Sequence, residues 1–337
     1  MLRGRQGEGE GWLTGNSQTV NRLRFRESGI LLVLALQVLL IWAVAPSVGD
    51  QSAFMNRENL MQVARAFSFI GIAAIGATMV IVAGGIDLSV GSVMGLTVVV
   101  TALLFERGAG VPAAVTGGLL VGLACGVANG ALIAVLGLPP FIATLGMLSM
   151  ARGGAYFLSG GRVISGLPAS FVDFGQGFLG GFIPYPVIVM LVATAIGVVV
   201  MRMTAYGRNL FALGGNEDAS RLSGLNVRML KLSVYALAGF FAGLAGIMYV
   251  ARFGYGSSTA GYGYELQVIS AAVIGGTSLS GGDGSVLGTF LGAAVMGLLG
   301  NGLTLLSVPE EYNQFVVGLV IVVAVFIDRL RHSREGA

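Results

Sequence analysis

Residues 84–95 read GGIDLSVGSVMG and interrupt an apolar run of forty residues, Ala66 to Phe105, in which Asp87 is the single charged residue. A carboxylate at the centre of a bilayer costs about 2.5–3.5 kcal/mol even on the gentler insertion scales. Paired glycines weaken a helix, and Asp is a strong helix N-cap. The stretch therefore predicts a break between two membrane helices, with a role in chemistry for Asp87 as the alternative.

The composition around this stretch is that of a polytopic membrane protein. Of the 337 residues, 55% are hydrophobic and 10% are charged, whereas soluble domains average about 25% charged residues. A spanning helix needs about 20 mostly apolar residues, so we count segments without Asp, Glu, Lys or Arg. We predict an all-α protein with about ten transmembrane helices, in segments 28–49, 66–105 (two), 108–151 (two), 174–201, 232–251 and a remainder that allows three.

Glycine recurs every fourth residue in one of these spans. Small residues let helix backbones approach closely in lipid, so this stripe predicts close packing against another helix. The stripe consists of Gly118, Gly122, Gly126 and Gly130, flanked in the same register by Ala114 and Ala134.

Basic residues lie in three clusters, which by the positive-inside rule face the cytoplasm. Even numbers of predicted spans separate the clusters, so both termini are predicted to be cytoplasmic. Residues 1–28 are predicted to be a polar tail, 29–328 the transmembrane domain with a cytoplasmic loop at 204–231, and 329–337 a basic tail. The clusters are Arg3, Arg5, Arg22, Arg24 and Arg26; then Arg202, Arg208, Arg221, Arg228 and Lys231; then Arg329, Arg331 and Arg334.

The chain lacks the residues of several enzyme classes. Its one histidine, His332, lies in the C-terminal tail, which excludes Ser–His catalysis and the H-E-x-x-H metalloprotease pattern. Its one lysine, Lys231, follows Leu230 and cannot belong to a phosphate-binding G-x-x-x-x-G-K-[ST] loop. We therefore predict no catalytic residue, no metal site and no cofactor in this chain.

The opening stretch recurs near the C-terminus, which predicts an internal repeat of 84–95 in 275–288. In the second copy Ser278 takes the place of Asp87, and both residue types are strong N-caps. We predict that each copy is a glycine break followed by a capped helix start, and interrupted spans at matching positions can mark a transport pathway. The residues concerned are Gly84, Gly85 and Asp87, and Gly275, Gly276 and Ser278.

The cytoplasmic loop predicts a helix of about two turns, which is marginal unless packing supports it. Asn216 is a good N-cap, Glu217 and Asp218 complement the helix dipole, and Gly224 can end the helix. The segment is either an ordinary surface loop or a docking element for a cytoplasmic partner.

Five ordered motifs, between about residue 30 and residue 328, resemble the ribose-type permeases of ATP-binding cassette sugar importers. The motifs are GGIDLSVGS (84–92), NGALIAVLGLPPFIATLGMLSMARG (129–153), GRNLFALGGNEDASRLSGL (207–225), LAGFFAGLAGIMYVAR (237–252) and IGGTSLSGGDGSVLG (274–288). The resemblance implies a bacterial inner-membrane subunit that moves a ribose-like pentose or a hexose into the cytoplasm. It also implies a cytoplasmic ATPase that binds ATP and Mg, a periplasmic or lipid-anchored sugar-binding protein, and a second permease copy or paralogue, without nucleic acid.

The resemblance also implies the residues of the coupling helix, and the polarity of the spans indicates candidates for the pathway. The ATPase-coupling helix falls on Asn216, Glu217, Asp218, Ala219, Arg221 and Gly224, with Ala219-Ser220 where the family commonly has Ala-Ala. Polar groups in spans either line the pathway or bond helices together; the candidates are Asn129, Thr144, Ser149 and Asn301. The alternative function is a stand-alone secondary transporter or facilitator for a small neutral solute, and an intramembrane enzyme lacks a plausible catalytic pair.

Overall fold

The computed structural model describes residues 29–48, 51–309, 312, 314–323 and 326. Both predicted tails and the first and third basic clusters lie outside these residues. The helices are α1 (Gly29–Val44), α2 (Arg57–Val82), α3 (Val90–Glu106), α4 (Val111–Ala134), α5 (Pro140–Ser159), α6 (Ala169–Gln176), α7 (Tyr185–Met203), α8 (Ala205–Gly215), α9 (Glu217–Leu222), α10 (Val227–Phe253), α11 (Tyr264–Ile274), α12 (Val286–Leu305) and α13 (Gln314–Val323). Two antiparallel hairpins pair β1 (Ser47–Val48) with β2 (Gln51–Ser52) and β3 (Phe178–Leu179) with β4 (Ile183–Pro184).

Six of the described helices are long and apolar enough to cross a membrane: α2, α4, α5, α7, α10 and α12. Four further apolar helices, α1, α3, α11 and α13, have 10–17 residues, fewer than the roughly 20 that a bilayer needs. The helical class is confirmed, and the count of about ten spans stays a prediction.

Charge-free runs locate helix ends poorly where polar side chains find partners. The predicted span at 174–201 starts too early, because α6 and the β3–β4 hairpin occupy its first part and α7 begins at Tyr185. Conversely, α2 begins at Arg57, before the charge-free run. The Arg65 guanidinium donates a hydrogen bond to the Gln176 carbonyl and lies 4.4 Å from the centre of the Phe178 ring. Because it has these partners, α2 can contain this charged residue.

Among the described helices, α4 and α10 form the most extensive contact. A methyl group added at Gly122 would lie 2.5 Å from the Gly239 carbonyl oxygen, and one added at Gly126 would lie 2.3 Å from the Tyr235 carbonyl oxygen. The two backbones therefore touch directly along the glycine stripe. The predicted packing role of these glycines is confirmed.

Three glycine-containing segments meet at one end of the bundle, which we call the break end: residues 82–89, the end of α8 and residues 275–285. The Gly282 amide donates to the Val82 carbonyl at 2.9 Å. A methyl group at Gly214 would lie 1.8 Å from the same carbonyl oxygen. The break between α2 and α3 is thus packed tightly against the loop that carries α9.

Candidate functional site

The short helix predicted in the 204–231 loop is present as α9. The Asn216 carboxamide oxygen accepts a hydrogen bond from the Ala219 amide at 2.9 Å, as an N-cap does. Glu217 and Asp218 occupy the first turn and Arg221 the last. Gly224 has a φ of 86°, a left-handed conformation that glycine adopts without strain. Ser220, the departure from the family pattern, is buried.

Glu217 fastens α9 to α10. Its two carboxylate oxygens accept hydrogen bonds from Lys231 of α10 at 2.7 Å and from Arg221 at 3.0 Å. The hydrogen bond from Lys231 lowers the pKa of Glu217 below its usual range, so the carboxylate is ionised near neutral pH. This carboxylate therefore links α9 directly to the first part of α10.

A cavity of about 720 Å³ lies beside α9, between the start of α10 and the turn from α4 to α5. The cavity is lined by charged and by apolar side chains, among them Glu217, Arg221, Arg228 and Lys231, and Leu138 and Pro139. Leu222, at the end of α9, is 90% exposed. This end of the bundle thus combines a basic cleft with an exposed leucine.

Asp87 forms a buried turn rather than the cap of α3. One of its carboxylate oxygens accepts the Ser89 amide at 2.8 Å and the Ser89 hydroxyl at 2.6 Å. Asn129 of α4 donates to the Ser89 hydroxyl oxygen at 2.9 Å. The residue at the cap position of α3 is Ser89. The prediction that Asp87 caps α3 is therefore wrong, because its carboxylate forms an Asx turn with Ser89 and α3 begins only after that residue.

Ser278 occupies a similar turn. Its hydroxyl accepts the Ser280 amide at 3.3 Å, whereas the N-cap of α12 is Ser285, whose hydroxyl accepts the Gly288 amide at 3.1 Å. The predicted cap role of Ser278 is wrong, because the intervening residues 281–284 delay the start of α12. Asp87 and Ser278 nonetheless share one function: each accepts the amide two residues ahead.

The glycine breaks themselves are present in both copies. Gly84 has a φ of 82° just after α2, and Gly276 has a φ of 84° just after α11. The Gly85 amide bonds the Val80 carbonyl at 2.9 Å, which closes the end of α2. In the first pair Gly84 has the left-handed conformation, and in the second pair Gly276 has it. Gly85 and Gly275 contribute to the break without that conformation.

Two of the four pathway candidates lie together at the break, and two lie apart. Thr144 is buried, and its hydroxyl bonds the Pro140 carbonyl at 2.9 Å and lies 3.4 Å from the Ile86 carbonyl, near Asn129 and its partner Ser89. Asn301 exchanges two amide hydrogen bonds with Asn59, at 2.7 and 3.1 Å. Ser149 lies on the exposed face of α5. Asn129 and Thr144 bond the break or their own helix, and Asn301 bonds α12 to α2. The Oδ1 atom of Asn129 has no hydrogen-bond partner among the described residues, and Ser149 is exposed.

Sequence reasoning missed two charged residues inside the bundle, Arg152 and Glu265. The predicted run ended before Arg152, yet α5 continues to Ser159. The Arg152 guanidinium donates to the carbonyls of Ser258 at 3.0 Å and Ala260 at 2.7 Å. A charge within an apolar helix was the available signal, because such residues usually pair inside a membrane protein or face water.

Comparison with known proteins gives a consistent result. The family model described as "Branched-chain amino acid transport system / permease component" matches residues 59–325. The ribose import permease protein RbsC of Bacillus subtilis is 39% identical over 307 residues, which cover 90% of this chain and 93% of that protein. RbsC of Escherichia coli is 38% identical over 321 residues, or 93% of this chain and 98% of that protein.

The D-allose transport system permease protein AlsC of Escherichia coli is 37% identical over 303 residues, which cover 90% of this chain and 91% of that protein. These matches span nearly the whole transmembrane domain, including both glycine breaks and α9. Together with the six helices of spanning length, they identify the chain as a multi-pass protein of the bacterial inner membrane that belongs to this permease family and is related to its ribose-type sugar permeases.

Proposed function

We propose that this chain is the transmembrane subunit of an ATP-binding cassette importer that moves a monosaccharide into the cytoplasm. A separate cytoplasmic ATPase would bind ATP and Mg, a periplasmic or lipid-anchored protein would deliver the sugar, and a second permease copy or a paralogue would complete the pair. The observation that carries the proposal is α9, a capped helix that Glu217 fastens to α10 and that presents the exposed Leu222 beside a basic cleft.

The proposal includes a topology of ten spans with both termini cytoplasmic. The six long helices and the four shorter apolar ones would supply the spans. The break end would face the cytoplasm, because it holds the middle basic cluster and the positive-inside rule applies to it. Both glycine breaks lie at this end, which supports the inference that residues 84–95 and 275–288 are an internal repeat.

The contacts suggest how ATPase movement would reach the solute route. Lys231 passes a displacement of α9 to α10, and α10 lies backbone to backbone against α4. Further along α10, the Tyr235 hydroxyl donates to the Ile86 carbonyl at 3.3 Å. A movement of α10 would therefore pull directly on the break between α2 and α3.

The test replaces the docking residues in the assembled complex. Leu222→Arg should abolish co-purification of the ATPase and sugar uptake while the permease stays folded, because this side chain is exposed. The double variant Glu217→Ala, Arg221→Ala should weaken both. The matched control is Leu179→Arg in the β3–β4 hairpin at the opposite end, which should leave ATPase co-purification unchanged. Intact co-purification and uptake in the docking variants would refute the coupling role.

A second experiment separates the proposal from a stand-alone facilitator. Proteoliposomes that contain only this chain should show no monosaccharide flux, and flux should require the ATPase, ATP and the sugar-binding protein. Flux through the permease alone would favour the facilitator and overturn the proposal.

A further inference from the structure

The connection between α10 and α11, residues 254–263, enters the interior of the bundle. It follows α3: a methyl group at Gly256 would lie 2.5 Å from the Ala102 side chain, and one at Gly91 would lie 2.4 Å from the Gly261 carbonyl oxygen. At 1.5 Å per residue, Ala102 lies about 6 Å and Gly91 about 22 Å inside the α3 end at Glu106. The segment therefore runs along most of the length of α3, as far as the first turn of that helix, without forming a helix.

One side of this segment is uncovered. Tyr262 is 68% exposed, and Thr259 is also exposed. Irregular backbone at membrane depth occurs only where protein buries it or where it lines a water-filled cavity, since lipid cannot satisfy its polar groups. The backbone of this segment therefore needs protein or water around it, and Thr259 and Tyr262 mark the side on which protein of this chain does not cover it.

Two charged residues lie beside the uncovered side. The Arg152 guanidinium is 5.8 Å from the centre of the Tyr262 ring and bonds two carbonyls of the segment. The Glu265 Oε2 atom is buried and has no hydrogen-bond partner among the described residues. It lies where a side chain at Gly91 would be, 2.2 Å from an added methyl group. This oxygen can therefore accept a further hydrogen bond if a small polar group reaches it.

We propose that residues 257–263 line a water-filled solute route and that Tyr262 and Glu265 form a contact site for a polyhydroxylated neutral solute. The exposed Tyr262 ring offers a flat apolar face to the C–H groups of the solute, and Glu265 Oε2 accepts one of its hydroxyl protons. Arg152 and Glu265 have side chains of opposite formal charge, which suits an uncharged solute. The solute class rests on the proposed function, whereas the water-filled route does not.

The route is tested by cysteine labelling. Cys125, the chain's one cysteine, is first replaced (Cys125→Ala), and Thr259→Cys and Tyr262→Cys are then made singly in the full-length permease. Both should react with a charged, membrane-impermeant methanethiosulfonate at least about tenfold faster than the matched control Val192→Cys, an exposed position on α7. Equal rates at all three positions, whether fast or slow, would overturn the route. Equal slow rates would fit burial against lipid or a second copy.

The contact site is tested by uptake in the complete complex. Glu265→Gln and Tyr262→Ala should lower the maximal uptake rate about tenfold with unchanged ATPase co-purification, whereas Glu106→Gln, at the far end of α3, should not. Tyr262 is exposed, so its variant separates loss of contact from misfolding. Normal uptake in both site variants would overturn the contact site. A wild-type complex that imports no monosaccharide would instead refute the proposed function, while the labelling contrast would stand by itself.

Discussion

The glycine stripe of α4 gives the sharpest prediction of stability. In Gly126→Ala the new methyl carbon would lie 2.3 Å from the Tyr235 carbonyl oxygen, whereas Cβ atoms essentially never come closer than 3.0 Å. The obstacle is the backbone of α10, which cannot rotate away, so α4 and α10 must separate by at least about 0.7 Å at this point. Overpacking of this kind typically costs about 1–3 kcal/mol.

The assay is the midpoint of thermal unfolding of the purified permease in one detergent. Gly300→Ala on α12 is the matched control, because nothing lies within 4 Å of the added methyl group and alanine favours a helix over glycine by about 0.5–1 kcal/mol. We expect a lower midpoint for Gly126→Ala and an equal or higher one for Gly300→Ala. Equal shifts in the two variants would refute direct backbone contact as the reason for the stripe.

Three further predictions concern the break and α9. Asp87→Asn should keep substantial uptake because the amide oxygen can still accept the Ser89 amide, whereas Asp87→Leu should lower the yield of folded protein; loss of uptake in a well-folded Asp87→Asn variant would restore a chemical role. Asn216→Ala should lower the free energy of opening of α9, measured by amide hydrogen exchange, by about 1 kcal/mol, and Asn216→Ser should not. Because Lys231 lowers the pKa of Glu217, the pair stabilises the fold fully above the unfolded pKa of about 4.3 and loses this effect as pH falls through the folded pKa. Glu217→Gln should therefore differ from wild type in unfolding midpoint at pH 7 and converge with it in acid, and a constant difference would contradict the assignment.

Residues with strong local preferences could be assigned from sequence. Asn216, the acidic first turn and Gly224 each favour the same short helix, and all three act in α9 as expected. The spacing of Gly122 and Gly126 on one helical face likewise predicted a close helix contact, although not that the partner is α10.

Features that depend on tertiary partners could not be assigned. Asp87 and Ser278 have the chemistry of caps, but the exact start of the following helix decides whether they act as caps or as turns. Arg152 looked like the end of a span because its partners, the carbonyls of residues 258 and 260, lie more than a hundred positions away. Charge counting treats every guanidinium as solvated, whereas this one is bonded to backbone within the bundle.

The hydrogen bond between Glu217 and Lys231 allows the position of α9 to be followed by chemical modification. Lys231 is the chain's single lysine, and its side chain is 24% exposed while its ammonium is held by the carboxylate. Apart from the amino terminus, an amine-directed acylating reagent can therefore modify one position. Its rate would rise whenever α9 leaves α10, so the reactivity of one amine would report the engagement of the helix during a transport cycle without any introduced label.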